Sequence, residues 1–130
     1  MCASLTQLRG NDMPTMPAGS ILLGSTRANE LRDWYLRVLA PDHTGEGPIA
    51  LGQLMLVIEQ RDDVSATNPE PGRSILNFHV DDFALFEAQL NSAGVDWIAK
   101  AADRPSGRFA TFKDPDGNYL QIIQFVQPPR

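Results

Sequence analysis

Apolar residues recur along this chain at two spacings, and the order in which the spacings alternate predicts the architecture. "SILLGS", residues 20 to 25, is a short apolar run with the length of a buried strand. In "TRANELRDWYLRVLA" the residues Ala28, Leu31, Trp34, Tyr35, Val38 and Leu39 fall at helical spacing. Thr26 is placed to cap that helix, Glu30 lies in its first turn, and Pro41 stops it. A polar stretch, "DHTGEG", leads to two β-like runs, "PIAL" and "QLMLVIEQ". The pattern then restarts. "SILNFHV", 74 to 80, predicts a strand. "DDFALFEAQLNSAG" predicts a helix capped by Asp81 or Asp82, with Phe83, Phe86, Leu90 and Ala93 on its inner side and Gly94 at its end. "VDWIAKA", "GRFATFK" and "NYLQIIQF" predict three further strands. "DPDG" joins the last two as a hairpin turn, with Pro115 fixing φ and Gly117 supplying φ > 0.

Both units read strand, helix, then further strands, and Gly24 and His79 occupy matching places 55 residues apart. A β-α-β-β-β unit used twice is an internal duplication. Module one spans about 18–64, a linker broken by Pro69, Pro71 and Gly72 covers 65–73, and module two spans about 74–127. The two make one α+β domain over 17–127, and residues 1–16, which show no period, are expected to form a mobile tail. Strands that follow one another without an intervening helix are expected to pair antiparallel.

The length of 130 residues suits a single core. The net charge of −5 disfavours nucleic acid and anionic membranes as partners. Apolar runs stay well short of the ~20 residues that span a bilayer, and no secretory leader is evident, so the chain is expected in the cytoplasm. Cys2, the sole cysteine, allows no intramolecular disulfide and no cysteine-based metal cluster. Asp62-Asp63 and Asp81-Asp82 are adjacent pairs that suit caps and solvated loops better than an acid/base dyad.

Four stretches carry a family likeness: Trp34-Tyr35 followed by "RVL", "FHVDD", Ala93-Gly94-Val95, and "DPDGNYLQI". Over about 18–126 the chain resembles the glyoxalase/bleomycin-resistance/dioxygenase, or vicinal oxygen chelate, superfamily. The resemblance implies two modules whose sheets curl around a concave pocket with the helices outside. It also implies four inward positions that hold a divalent metal in many members, and here these are Ser20, Ile75, Glu59 and Gln121. Only Glu59 keeps a strong ligand type. Isoleucine cannot coordinate, a neutral serine is a poor donor, and an amide is weak for ions that prefer imidazole, carboxylate or thiolate. No metal and no other cofactor is therefore expected, unless His43 or His79 supplies ligands from elsewhere.

Strand parity fixes what shares the inward face. Ile75 brings Asn77 and His79; Gln121 brings Tyr119 and Ile123; Glu59 brings Val57 and Met55; Ser20 brings Leu22 and Gly24. The expected ligand-binding set is Glu59, Asn77, His79, Gln121, Met55 and Tyr119, a mostly apolar surface with a few polar groups that suits a small organic molecule. The alternative is an enzyme of the same superfamily, a lyase, isomerase or dioxygenase, with an atypical metal site or metal-free acid/base chemistry by Glu59 and His79. His79 also fits a solvated strand-end histidine. Trp34 fits core packing, and Trp97 fits core, pocket or interface. A homodimer is expected, because long apolar strands need cover on both faces.

Overall fold

The computed structural model describes residues 14–126. Cys2 and most of the expected tail lie outside the described residues, and residues 14–20 are exposed and form no regular element. The chain then runs β1 (Ile21–Ser25), α1 (Ala28–Leu39), β2 (Ile49–Leu51), β3 (Leu54–Gln60), a short 3₁₀ turn (Pro71–Arg73), β4 (Ile75–His79), α2 (Phe83–Ala93), β5 (Asp96–Arg104), β6 (Gly107–Lys113) and β7 (Tyr119–Phe125). Among the described residues, no helix is long and apolar enough to cross a membrane.

The strands form two sheets, ordered β1-β3-β2 and β4-β7-β6-β5. Consecutive strands pair antiparallel, as β2 with β3, β5 with β6, and β6 with β7. The strand before each helix instead pairs parallel with the last strand of its module, β1 with β3 and β4 with β7. Each sheet is therefore mixed, and the α+β duplication stands. The first module has one strand fewer than the β-α-β-β-β pattern. Residues 40–48 form no strand, and there the Arg32 guanidinium donates to the carbonyls of Gly45 and Gly47, at 3.1 and 3.0 Å.

Parity governs what each sheet buries. Leu56 on the first sheet and Leu76, Ala110, Phe112, Leu120 and Ile122 on the second all turn toward the helices. With Leu31 and Tyr35 of α1 and Phe83 and Leu90 of α2 they make one core shared by both modules. Each fully buried large side chain contributes roughly 1.5–3 kcal/mol. Trp34 packs at 4.9 Å from Tyr35 and 6.4 Å from Phe112. Trp97 belongs to this side as well: its ring lies 5.6 Å from Phe112 and its Nε1 donates to Asn91. Because one core takes the helix side of both sheets, the opposite faces turn away from it. Leu22 and Ile75 on those faces are 47% and 38% exposed.

The helix starts repeat as closely as the strands do. Thr26 does not cap α1; the N-cap is Arg27, with no side-chain cap of its own. Ser25 Oγ accepts the Arg27 N–H, and Gln60 Oε1 accepts the Ala28 N–H at 3.0 Å. In the second module Asp82 caps α2 through the Leu85 N–H, and Gln124 Oε1 accepts the Phe83 N–H at 2.8 Å. A glutamine at the end of each module's last strand thus satisfies an otherwise orphaned amide of that module's helix.

Candidate functional site

The open face of the second sheet gathers residues from all four of its strands. In register, His79, Ile123 and Phe109 lie side by side, with Gly107 beside Phe125. The His79 ring meets the Phe125 ring edge-on at 4.9 Å, and Phe125 meets Phe109 edge-on at 6.2 Å. The Arg104 guanidinium sits 4.5 Å over the Phe109 ring. A row of one imidazole, two phenyl rings and one cation therefore crosses β4, β7, β6 and β5, over a buried Ile123. Phe125 is 49% exposed, so its ring presents a π surface to whatever lies on the sheet. Next along the strands, Gln121 Nε2 donates to Thr111 Oγ1 at 3.0 Å, with Asn77 as Gln121's parallel neighbour. Tyr119, between Ile75 and Lys113, is half-buried. The parity expected for Asn77, His79, Tyr119 and Gln121 is the parity observed. Phe109, Phe125 and Arg104 were missed, although the alternation of "GRFATFK" puts Phe109 on the face of Thr111 and that of "NYLQIIQF" puts Phe125 on the face of Gln121.

The corresponding face of the first sheet is built differently. Glu59 lies beside Gly24 in the ladder, and Met55 beside Ala50. The Arg61 guanidinium donates to Glu59 Oε2 at 2.6 Å and grips Asp63 with two further N–H groups at 2.8 and 2.7 Å. The hydrogen bonds that Arg61 donates to Asp63, and after them the one to Glu59, push Arg61 up from its already high value, and the bond from Arg61 holds the Asp63 carboxyl below its ordinary range. Gly24 is what admits this arginine: a Cβ there would stand 2.6 Å from Arg61 Cδ. Glu59 is thus an exposed carboxylate already paired with a cation.

The metal-ligand positions of the superfamily do not fit an ion here. Ser20 precedes β1 and is exposed, and Ile75 has no donor. Glu59 pairs in the ladder with Gly24, whereas Gln121 pairs with Asn77, which matches the first module's Leu22 at the 55-residue offset. The two therefore differ by one side-chain repeat along their strands. His43 Nε2 accepts from Arg32, and His79 stacks on Phe125. Among the described residues, no three of His, Cys, Asp or Glu come together as a metal site.

One cleft of about 620 Å³ opens between the modules, and Asn77 and His79 line it. Glu59, Met55, Gln121 and Tyr119 do not. A smaller cavity of about 320 Å³ lies at the other end of the seam, beside Gly24, Asn68 and Asp116.

The turn that opens the terminal motif is a polar cluster under the first module. Asp114 Oδ2 accepts from the Tyr35 hydroxyl at 2.7 Å and from Asn118 Nδ2 at 2.9 Å. Its Oδ1 accepts the N–H groups of Asp116 and Asn118, at 2.9 and 3.0 Å. Asp116 accepts from Ser25 Oγ at 2.6 Å and from Arg27 at 3.1 Å. Burial pushes the Asp114 carboxyl up despite its donors, and burial, with Asp114 beside it, pushes the Tyr35 phenol well up. Among the described residues no buried side-chain polar atom is left without a partner. The bonds from Tyr35, Ser25 and Arg27 tie the modules together, and those from Asn118 and the Asp116 N–H brace the turn itself.

No protein-family model and no curated protein sequence matches the chain. Solved structures match over most of its length. A glyoxalase/bleomycin resistance protein/dioxygenase from Nocardioides is 13% identical with a TM-score of 0.68, covering 92% of this chain and 90% of its own. TnmS3, an antibiotic binding protein from Streptomyces sp. CB03234, is 23% identical with a TM-score of 0.67, covering 88% of this chain and all of its own. TioX from Micromonospora sp. ML1 is 15% identical with a TM-score of 0.64, covering 85% of this chain and all of its own. At these identities the likeness establishes the fold.

Proposed function

We propose that this chain, which has the fold of the glyoxalase/bleomycin-resistance/dioxygenase proteins, is a cytoplasmic binding protein that holds a small aromatic molecule without a metal ion. The observation that carries the reading is the row of His79, Phe125, Phe109 and Arg104 across the open face of the second sheet. Stacking on such rings contributes ~0.5–1.5 kcal/mol per pair beyond area burial. Asn77, Gln121 and Tyr119 supply hydrogen-bonding groups beside the row. The antibiotic-binding neighbour supports a binding role. The enzyme alternative has less support, since Glu59 is held by Arg61 and the other family ligand positions are Ser20, Ile75 and Gln121.

The reading includes a homodimer. Glu59 and Met55 lie on the first sheet, and within one chain both open faces turn from the common core. Pairing the first sheet of one copy with the second sheet of another brings Glu59 and Met55 over the aromatic row. It also covers Leu22 and Ile75.

Calorimetric titration with a planar neutral probe, naphthalene carboxamide, tests the site. Saturable binding that falls about tenfold in Phe125→Ala at unchanged melting temperature is expected; unchanged affinity in that variant rejects the site. Titration with zinc, nickel and manganese is expected to give no tight isotherm. A stoichiometric one that vanishes in Glu59→Ala overturns the metal-free reading. Light scattering that gives a clean monomer at tens of micromolar overturns the dimer.

A further inference from the structure

The cleft between the modules shares β4 with the aromatic row and is otherwise built from elements that the row does not use. Its walls come from the end of α1, the β2–β3 hairpin and the first turns of α2: Leu39, Leu51, Leu54, Leu85 and Phe86. Leu85 is 57% exposed there, a large apolar side chain in open water. The remaining wall is β4. Residues from both of its faces, Asn77 and His79 on one and Phe78 and Val80 on the other, line the same cleft, so the cleft runs along the edge of the strand.

That edge is unpaired, because β4 is the outermost strand of its sheet. The Val80 N–H donates to the Ile123 carbonyl at 2.8 Å. In a parallel ladder the main-chain groups alternate in direction, so those of Phe78 and Leu76 also turn toward β7. The N–H and C=O of Asn77 and His79 then turn outward, into the cleft. The lining also holds two carboxylates, Asp81 and Asp82, and neither lysine nor arginine. Asp82 Oδ1 is occupied by the Leu85 N–H. Asp81 makes no side-chain hydrogen bond among the described residues. A volume of about 620 Å³ lies within the range of small-molecule sites.

We propose that this cleft is a second binding site, for a small molecule with an apolar body and a cationic amine head. The body lies against Leu51, Leu54, Leu85 and Phe86, and the ammonium donates to the outward carbonyls of β4 and to Asp81. An anionic head finds the outward N–H groups of Asn77 and His79 but lies against the like charge of Asp81 and Asp82, with no lysine or arginine in the lining to offset it. The site is separate from the aromatic row in all but His79 and Asn77, which touch both.

Amide NMR on the full chain tests it, with phenylbutylamine as the probe and phenylbutyrate as its anionic counterpart. The amine is expected to saturate at millimolar concentration and to shift Gly52, Gln53, Leu85 and Gln89. Leu85→Lys, which puts a cation in the cleft at an exposed position, is expected to weaken it about tenfold, and Asp81→Asn about threefold. Phe125→Ala, which removes the exposed ring of the aromatic row, is expected to leave it unchanged, so failure of one site is read apart from failure of the other. The proposal is overturned if the amine does not saturate, if phenylbutyrate binds equally well, if Leu85→Lys has no effect, or if the shifts fall on Phe109, Thr111 and Gln121.

Discussion

Residues 114 to 118 and residues 119 to 125 are continuous in sequence, yet their polar groups are in opposite conditions. In the turn, Asp114 is 2% exposed and Asp116 5% exposed, and their carboxylates are taken up by Tyr35, Asn118, Ser25 and Arg27. On the strand, Gln121 keeps only the Thr111 contact, and Phe125 stands half in water against an exposed His79. A stretch that reads as one motif thus holds a fastening at one end and a presenting surface at the other. Groups whose partners all lie within the chain contribute to folding. Groups with unspent capacity are where a ligand gains something.

Substitutions at the two ends are expected to separate stability from binding. Asp114→Ala leaves the Tyr35 hydroxyl, the Asn118 amide and two backbone N–H groups without their acceptor. It is expected to remove about 4 kcal/mol of unfolding free energy by urea denaturation; a loss under ~1 kcal/mol breaks the contrast. Tyr35→Phe deletes one donor from the same carboxylate and is expected to lower stability by about 1.5 kcal/mol in the same measurement. A change of acidity sharpens the comparison further. The Asp114 carboxyl is raised above its ordinary 3.8 in the fold, so folding takes up a proton between that value and the raised one. Its stability contribution is therefore full below 3.8 and is lost as the pH rises through the folded value. The melting-temperature gap between the wild type and Asp114→Asn is expected to widen as the pH falls from neutral into that window. A gap that narrows contradicts the direction. The smallest effect is expected at the other end. His79→Ala changes unfolding free energy by no more than about 0.5 kcal/mol, while weakening naphthalene carboxamide severalfold. A large stability loss at His79 would make it a core residue.

Where the sequence was legible, a period or a steric rule decided the outcome. "GRFATFK" became Gly107–Lys113 to the residue, and Gly117 takes φ +84° in the turn that needed it. The sheet parity of β4 and β7 followed from alternation alone. What was not legible depended on partners distant in sequence. The start of α1 looked like a threonine cap because the local rule sees only neighbours, whereas Gln60 supplies the acceptor from 32 residues away. Asp114 and Asp116 looked like turn formers. Their tie to Tyr35 and Ser25 exists only once the modules meet. Arg61 was overlooked because its partners lie two residues to either side, but the space it fills is made by Gly24 on a neighbouring strand. The missing strand of the first module was foreshadowed by "DHTGEG", which has no alternation to build one from.

The fastening has a consequence for the order of events as the chain folds. Ser25 and Asp116 are 91 residues apart, and Tyr35 and Asp114 are 79 apart. Closing so long a loop is entropically expensive and comes after local contacts have formed. During synthesis the first module therefore emerges with Tyr35 facing a partner that the ribosome has not yet made, and its half of the core stays open until the final hairpin appears. A nascent chain stalled before residue 114 should accordingly be protease-sensitive throughout the first module, and one released after residue 125 should not. The last dozen residues of the domain act on the first dozen of its core.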